Sequence, residues 1–176
     1  MRILEDTIVI GLGGNVGDEQ AISKRFDHAR AALQELGAGL RSAQLYRTAA
    51  MVQPGAAPQA DYFNTAIKVH LDDGVTHDQI YMTVREIENL LGRDRAMRGQ
   101  ARWAPRTIDL DVILWGTRTV RTPELEVPHP RWTERLFVVR PLIDLYDEDT
   151  IVHGHRLGTL ANRLADQRVE LVSARW

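Results

Sequence analysis

The chain has 176 residues, of which 44% are hydrophobic and 26% charged, with a formal net charge of −2 and no cysteine. This length and composition predict one globular domain over residues 1–176, and the near-neutral charge argues against a dedicated nucleic-acid binder, which is usually clearly basic. The absence of cysteine excludes disulfides and thiolate metal sites and suits the cytoplasm, while no apolar run approaches the ~18 residues of a membrane span.

The first predicted elements are a short buried strand over residues 7–12 and a helix that Asp18 can cap. Apolar residues recur through this helix at helical spacing before Gly37 ends it, at Ile22, Phe26, Ala29, Leu33 and Leu36. The glycine cluster between strand and helix does not fit a dinucleotide-binding fingerprint, because the third glycine should fall at Val16. We expect a tight strand-to-helix turn instead.

Two further strands are predicted over residues 39–48 and 62–71, separated by a loop rich in turn-forming residues. A second helix begins at Thr76, which can form a capping box with Gln79, and ends at Gly92. Together with a strand over residues 107–115, these elements follow the order βαββαβ. That order predicts an α+β, ferredoxin-like antiparallel sheet with helices on one face.

A C-terminal extension is predicted to follow this unit from about residue 119. It would contain a hairpin, a short helical turn, a strand near residues 137–143 and a helix near residues 157–165.

Two aspartates lie in the strand over residues 107–115. Asp109 and Asp111 are two positions apart and therefore project from one face, whereas Leu110, Val112 and Leu114 are placed on the other. Neighbouring carboxylates with no basic residue between them repel each other unless a cation lies across them. Mg²⁺ is the simplest candidate because it prefers carboxylate and phosphate oxygens.

A basic segment precedes this strand. Between residues 92 and 106 the arginines stand at 93, 95, 98, 102 and 106, against the single acid Asp94. Arginine offers a planar fork of donors that suits phosphate oxygens, so a basic loop beside a two-carboxylate site indicates phosphoryl transfer. The alternative is a solvated charged loop in which one strand aspartate pairs with Arg106.

The segment over residues 102–114, Arg-Trp-Ala-Pro-Arg-Thr-Ile-Asp-Leu-Asp-Val-Ile-Leu, resembles the signature of the 6-hydroxymethyl-7,8-dihydropterin pyrophosphokinase family. Three other segments agree in the right order: residues 10–18, residues 46–48 with 61–64, and residues 127–129 with 135–137. The resemblance implies the ferredoxin-like fold and transfer of pyrophosphate from ATP to the hydroxymethylpterin, giving AMP, in tetrahydrofolate biosynthesis. It also implies two Mg²⁺ ions on the aspartate pair, small-molecule partners only, and a monomer.

The same resemblance assigns the pterin side of the site. It implies that Tyr62 and Phe137 sandwich the pterin ring, that Asn64 hydrogen-bonds the polar edge of the ring, and that Thr48 completes the pocket. Trp103 would help to close the loop over the substrate.

On the nucleotide side, the resemblance implies that His129 and Arg135 contact the ATP phosphates and that Val112 and Leu125 flank the adenine. Arg95 and Arg106 would neutralise charge that develops during transfer. Arg93 and Glu88 complete the nucleotide-binding set, the latter as a recurring acid of the family.

The chain departs from the family at a few positions. The family typically has serine where Gly14 stands and prolines at Ala49 and Ala50, and relatives can carry an aromatic hydroxyl at Pro130. We expect the glycine to cost local hydrogen bonding rather than chemistry.

Two other functions remain as alternatives. An RNA-binding module shares the βαββαβ plan, but the sequence lacks the aromatic run typical of that class. A catalytically silent, nucleotide-binding homologue would have lost the aspartate pair or the arginines, and both are present here.

Overall fold

The computed structural model describes residues 6–50, 55, 57–93 and 105–174. Its main sheet is antiparallel, and its first strand is β1 (Thr7–Gly14). The other strands of this sheet are β2 (Gly37–Ser42), β3 (Leu45–Thr48), β4 (Tyr62–Leu71), β5 (Asp109–Trp115) and β10 (Val169–Ser173). The strand order is β10-β3-β4-β1-β5, and β2 also pairs with β4.

Two helices cover one face of this sheet. Helix α1 (Glu19–Leu33) begins after Asp18, whose side chain accepts a hydrogen bond from the Ala21 amide at 2.8 Å. Helix α2 (His77–Leu90) begins with the predicted capping box between Thr76 and Gln79. Buried residues of both helices pack against alternate residues of β1, namely Ile8, Ile10 and Leu12. The predicted ferredoxin-like βαββαβ arrangement is confirmed.

The C-terminal extension packs on both faces of the sheet. Leu125 and Val127 join the core under α1 and α2, whereas buried residues between positions 132 and 164 cover the opposite face. The extension contains the two short hairpins β6 (Val120–Arg121) with β7 (Glu126–Val127) and β8 (Ile151–Val152) with β9 (His155–Arg156), followed by helix α4 (Leu157–Arg163). Among the described residues, no helix is both long enough and apolar enough to cross a membrane.

The strand predicted near residues 137–143 is wrong, because this segment lies within helix α3 (Leu136–Leu145). Buried residues recur there at every third position, Leu136, Val139, Leu142 and Leu145, which is the spacing of one helix face. The β-branched residues of this segment, Val138, Val139 and Ile143, locally favour a strand. Packing onto the sheet stabilises the helix instead. One contact with the sheet is the hydrogen bond that the Tyr46 hydroxyl donates to Asp144 of α3 at 2.9 Å.

Two further predictions about strands need correction. The single strand over residues 39–48 is divided into β2 and β3 at Ala43 and Gln44, where the Gln44 amide donates to the Asp144 carboxylate at 3.0 Å. Leu114 does not share a face with Leu110, because the register of β5 against β1 shifts between Val9 and Ile10 and brings Leu114 to the α3 face.

Candidate active site

The two aspartates of β5 lie beside glycines of the neighbouring strand β1. In the register of the sheet, Asp109 is opposite Gly13 and Asp111 is opposite Gly11, while Gly13 is also opposite Asn64 of β4. Residues directly opposite each other in an antiparallel sheet point to the same face. Gly13 therefore leaves an open floor about 10 Å wide between Asp109 and Asn64, since neighbouring strands are about 4.8 Å apart. The space over Gly11 is filled by the Ile113 side chain.

The ending of helix α2 places Arg93 next to this floor. Gly92 has a φ of +84°, a left-handed conformation that favours glycine, and the Arg93 amide donates to the Glu88 carbonyl at 2.9 Å. The chain thus turns back over the last turn of the helix. As a result, the Arg93 guanidinium pairs with the carboxylates of both Glu88 and Asp109.

Asp109 is held by two arginines. Its Oδ1 accepts from Arg93 and its Oδ2 from Arg106, which lies three residues before it. The side chain of Asp109 is 13% exposed and that of Arg106 is 39% exposed, so this cluster borders on solvent. Two guanidinium groups therefore already compensate the charge of one member of the aspartate pair.

Asp111 is in a different electrostatic situation. Within the described part of the chain it forms no hydrogen bond or ion pair. Burial, reinforced by the nearby Asp109 carboxylate, raises the pKa of Asp111 above its ordinary value. A half-buried carboxylate without a partner beside a second carboxylate is a site where a cation would relieve repulsion.

The residues fit a magnesium site that the protein completes with substrate. No cluster of three or more histidine, aspartate or glutamate side chains suited to a metal occurs among the described residues. Mg²⁺ commonly binds through only one or two carboxylates and takes its other ligands from substrate phosphates and water. Asp109 and Asp111 can supply the two carboxylates.

Glu88 lies behind this pair and is completely buried. Its Oε1 accepts from the Leu110 amide at 3.0 Å, at the outer edge of β5 between the two aspartates, and also from Arg93. Because its side chain is 0% exposed, Glu88 supports the site from beneath and cannot touch a nucleotide in this conformation. This differs from the nucleotide contact expected from the family resemblance.

We expect Glu88 to make stability depend on pH. Burial raises the pKa of Glu88 from 4.5 to about 7, although the Leu110 amide and Arg93 oppose the shift. Since the folded state holds the proton more tightly, the free energy of unfolding should fall as pH rises, by about 3 kcal/mol for this group between about pH 4 and about pH 8. Denaturant unfolding at several pH values should show a flatter profile for Glu88→Gln, which cannot ionise. Equal slopes for both proteins would contradict this assignment.

A cavity of about 190 Å³ lies along the outer edge of β5. Its lining includes Asp111 and His129 together with Val112 and Leu125, the two residues expected beside the adenine. Tyr81 and Arg85 of α2 also line it and were not identified from the sequence. The sequence does place these two residues together, because residues four positions apart project from one face of a helix.

His129 is prepared to act as a hydrogen-bond donor toward the cavity. Burial lowers the pKa of His129, partly offset by attraction to the Asp111 carboxylate, so the imidazole is neutral at neutral pH. Its Nδ1 accepts from the Arg131 amide at 3.1 Å, which places the remaining proton on Nε2. Its own amide donates to the Ile113 carbonyl at 2.9 Å and anchors the residue to β5.

Arg135 and Phe137 stand at the start of α3. The Arg135 guanidinium lies 5.7 Å from the centre of the Phe137 ring and forms no ion pair within the described residues. Phe137 packs partly buried against the core on the same sheet face as Asn64. A half-buried guanidinium without an acidic partner is a suitable anion-binding group.

The β4 side of the floor carries Tyr62, Asn64 and Thr48. The Asn64 Nδ2 donates to the Thr48 Oγ1 at 2.9 Å, which fixes the orientation of a buried amide. Burial raises the pKa of the Tyr62 phenol, and the charges of Arg106 and Asp109 also act on it. The structure thus brings together the residues predicted for the pterin side. Arg95 and Trp103 lie outside the described residues.

Comparison with known proteins identifies relatives of this chain. Residues 9–147 match the family model described as 7,8-dihydro-6-hydroxymethylpterin-pyrophosphokinase. A Bacillus subtilis protein named 2-amino-4-hydroxy-6-hydroxymethyldihydropteridine pyrophosphokinase is 33% identical over 141 residues, covering 77% of this chain and 75% of that protein. A Synechocystis protein of the same name is 33% identical over 142 residues, covering 78% of this chain and 65% of that protein.

Longer proteins also match. The chain spans 28% of the mitochondrial folate synthesis bifunctional protein of Pisum sativum, at 33% identity over 156 residues and 86% of this chain. A solved HPPK-DHPS structure in complex with substrates shares the fold with a TM-score of 0.66 at 10% identity, covering 90% of this chain and 43% of that one. The match of the family model over most of the chain and the relatives at 33% identity show that this chain belongs to the 7,8-dihydro-6-hydroxymethylpterin-pyrophosphokinase family.

Proposed function

We propose that this protein transfers the pyrophosphoryl group of ATP to the hydroxymethyl oxygen of 6-hydroxymethyl-7,8-dihydropterin, giving the pterin diphosphate and AMP in tetrahydrofolate biosynthesis. The observation that supports this best is the position of the aspartate pair. Asp111 lines the cavity at the outer edge of β5, while Asp109 faces Asn64 across the glycine floor. A nucleotide in the cavity and a flat bicyclic ring on the floor would meet at the carboxylates.

Asp109 and Asp111 are the residues that would hold magnesium, two ions in the proposed reaction. When bound, the metal would neutralise phosphate charge and orient the β-phosphorus for in-line attack. His129 and Arg135 would bind the phosphate oxygens from the side of Asp111, and Val112 and Leu125 would flank the adenine.

Arg93 and Arg106 would supply the remaining positive charge. In the structure both guanidinium groups face the Asp109 carboxylate. With a metal on this carboxylate, both guanidinium groups would be released to pair with the incoming phosphates, which would turn the arginines toward the transferred group. Arg95 is proposed to act with Arg106, and Trp103 to enclose the pterin. No residue of the described site stands out as a strong general base for the hydroxyl, a proton that the metal would make more acidic.

We propose one domain over residues 1–176 that acts as a monomer on small molecules alone, in the cytoplasm. The chain has no cysteine and a net charge of −2, which suit that compartment and argue against a dedicated nucleic-acid partner.

The direct test is a measurement of AMP release. The protein, Mg²⁺ and ATP should give AMP in equal amounts with pterin diphosphate when 6-hydroxymethyl-7,8-dihydropterin is present, and neither product when it is omitted. Formation of ADP in place of AMP, or release of AMP that does not depend on the pterin, would contradict the proposed reaction. Omission of Mg²⁺, with chelator added, should stop turnover.

Asn64→Ala should weaken pterin binding selectively. The change removes the amide that Thr48 orients on the floor, so a polar edge of the ring would be desolvated without a partner, which costs about 1–3 kcal/mol. We expect the Kd of the pterin to rise roughly 10-fold or more and the Kd of a non-hydrolysable ATP analogue to stay unchanged. Calorimetric titration of both ligands measures this. A matched control is Asn162→Ala at an exposed position of α4. Equal pterin affinity for the wild type and Asn64→Ala would exclude the assigned contact.

A further inference from the structure

The turn after β1 makes unusually many contacts with the segments that lead into β4 and β5. Asn15 is 3% exposed and its backbone amide donates to the Arg106 carbonyl at 3.0 Å. Its Oδ1 accepts from the Arg106 amide at 2.8 Å, and its Nδ2 donates to the Ala60 carbonyl at 3.1 Å. One buried side chain therefore connects three chain segments around the site.

The carbonyl oxygen of Thr107 is fixed from two sides next to this residue. A Cβ on Gly14 would lie 2.8 Å from this oxygen, closer than a carbon and a backbone oxygen normally approach. From the other direction, the Arg25 Nη1 donates to the same oxygen at 2.6 Å, while its Nη2 donates to the Val16 carbonyl. The glycine at position 14 thus permits a close backbone approach, and a Cβ there would require the backbone to shift. This differs from the expectation that the glycine only costs local hydrogen bonding.

We propose that Gly14, Asn15 and Arg25 form a clasp that fixes the backbone of Arg106 and Thr107 and thereby aims the Arg106 guanidinium at the reacting phosphate. These three are positioning residues, and the inference rests on the proposed role of Arg106 in the transfer. Because Arg106 pairs with Asp109 only three residues along the chain, the position of its backbone sets where its guanidinium can reach. Asn15 also donates to the Ala60 carbonyl, two residues before Tyr62, so the same clasp contacts the segment that leads to the proposed pterin-binding residues.

The clasp makes a specific kinetic prediction. Asn15→Ala should lower kcat roughly 10- to 100-fold with little change in the KM for ATP, because a displacement of about 1 Å of a group that stabilises the transition state can cost about 10²-fold. Asn162→Ala is the matched control and should leave kcat unchanged. Amide hydrogen exchange at Arg106 should become faster in Asn15→Ala, since Oδ1 of Asn15 accepts its hydrogen bond.

A double-mutant cycle separates positioning from a general loss of structure. In an Arg106→Ala background, adding Asn15→Ala should lower kcat by less than about 3-fold, because residues that act through one group are not additive. Gly14→Ser should behave like Asn15→Ala, and Arg25→Met provides a variant that leaves both residues of the turn intact. Circular dichroism and denaturant unfolding check that each variant is folded.

Three results would overturn the clasp. The first is a full, multiplicative effect of Asn15→Ala in the Arg106→Ala background, and the second is unchanged turnover in Asn15→Ala and Arg25→Met. The third is unchanged turnover in Arg106→Ala alone, which would remove the group through which the clasp acts. Pterin-dependent AMP release by the unmodified protein would still support the proposed reaction in each case.

Discussion

Asp111→Asn is expected to abolish turnover almost completely while leaving the protein as stable as the wild type or more stable. The carboxylate of Asp111 has no partner among the described residues, and burial together with Asp109 raises its pKa. Removing its charge therefore relieves repulsion in the free protein but removes a proposed magnesium ligand. A loss of several kcal/mol of charge stabilisation corresponds to a fall in kcat of roughly 10³-fold or more.

Asp109→Asn should lose activity to a similar extent but also lose stability. Asp109 compensates the guanidinium groups of Arg93 and Arg106, and breaking a partly buried ion pair from one side leaves the other charge without a partner. We expect the free energy of unfolding to fall by about 1–3 kcal/mol. Asp78→Asn, at an exposed aspartate on α2, serves as the control for both changes.

The measurements are steady-state kinetics with varied Mg²⁺ and equilibrium unfolding in denaturant at pH 8. Near-normal, magnesium-dependent kcat in either variant would remove that aspartate from the metal site. Equal losses of stability in the two variants would show that Asp111 has a partner in the folded protein after all.

The predictable parts of the fold are those that local patterns specify. The helix ends could be predicted because only a few neighbouring residues determine each of them. They are the Asp18 cap, the capping box at Thr76 and Gln79, and the stop at Gly92. The common face of Asp109 and Asp111 followed from the two-residue period of a strand, and the register against Gly13 and Gly11 is consistent with it.

The errors arise where distant packing overrides local preference. The segment containing Pro141 forms α3 because the exposed sheet face needs an apolar helix to cover it, a demand that no local pattern shows. The bulge that turns Leu114 depends on the pairing of β5 with β1, and strand β10, which was not predicted, pairs with β3 over a separation of more than 100 residues.

The site was predictable in its charged residues and not in its supports. Carboxylates and arginines stand out in a sequence, so the aspartate pair and Arg106 were singled out, and the structure pairs Arg106 with Asp109. Asn15 and Arg25 support the site through backbone carbonyls of Ala60, Arg106 and Thr107, and a carbonyl leaves no signal in a sequence. The role of Glu88 changed for the same reason, because its partner at Leu110 is a backbone amide.

Arg106→Ala is expected to lower kcat by roughly 10²–10³-fold while the KM for the pterin changes little, since the guanidinium would bind charge that develops only during transfer. Arg106→Lys should recover only part of this loss, because an ammonium keeps the charge but lacks the planar fork. Stability should fall less than in Asp109→Asn, since Arg93 still pairs with Asp109. Arg118→Ala, at an exposed pair with Asp6, is the matched control. A raised KM with unchanged kcat in Arg106→Ala would make this arginine a ground-state binder, and the charge on the moving phosphoryl group would then have to be met by other cations of the site.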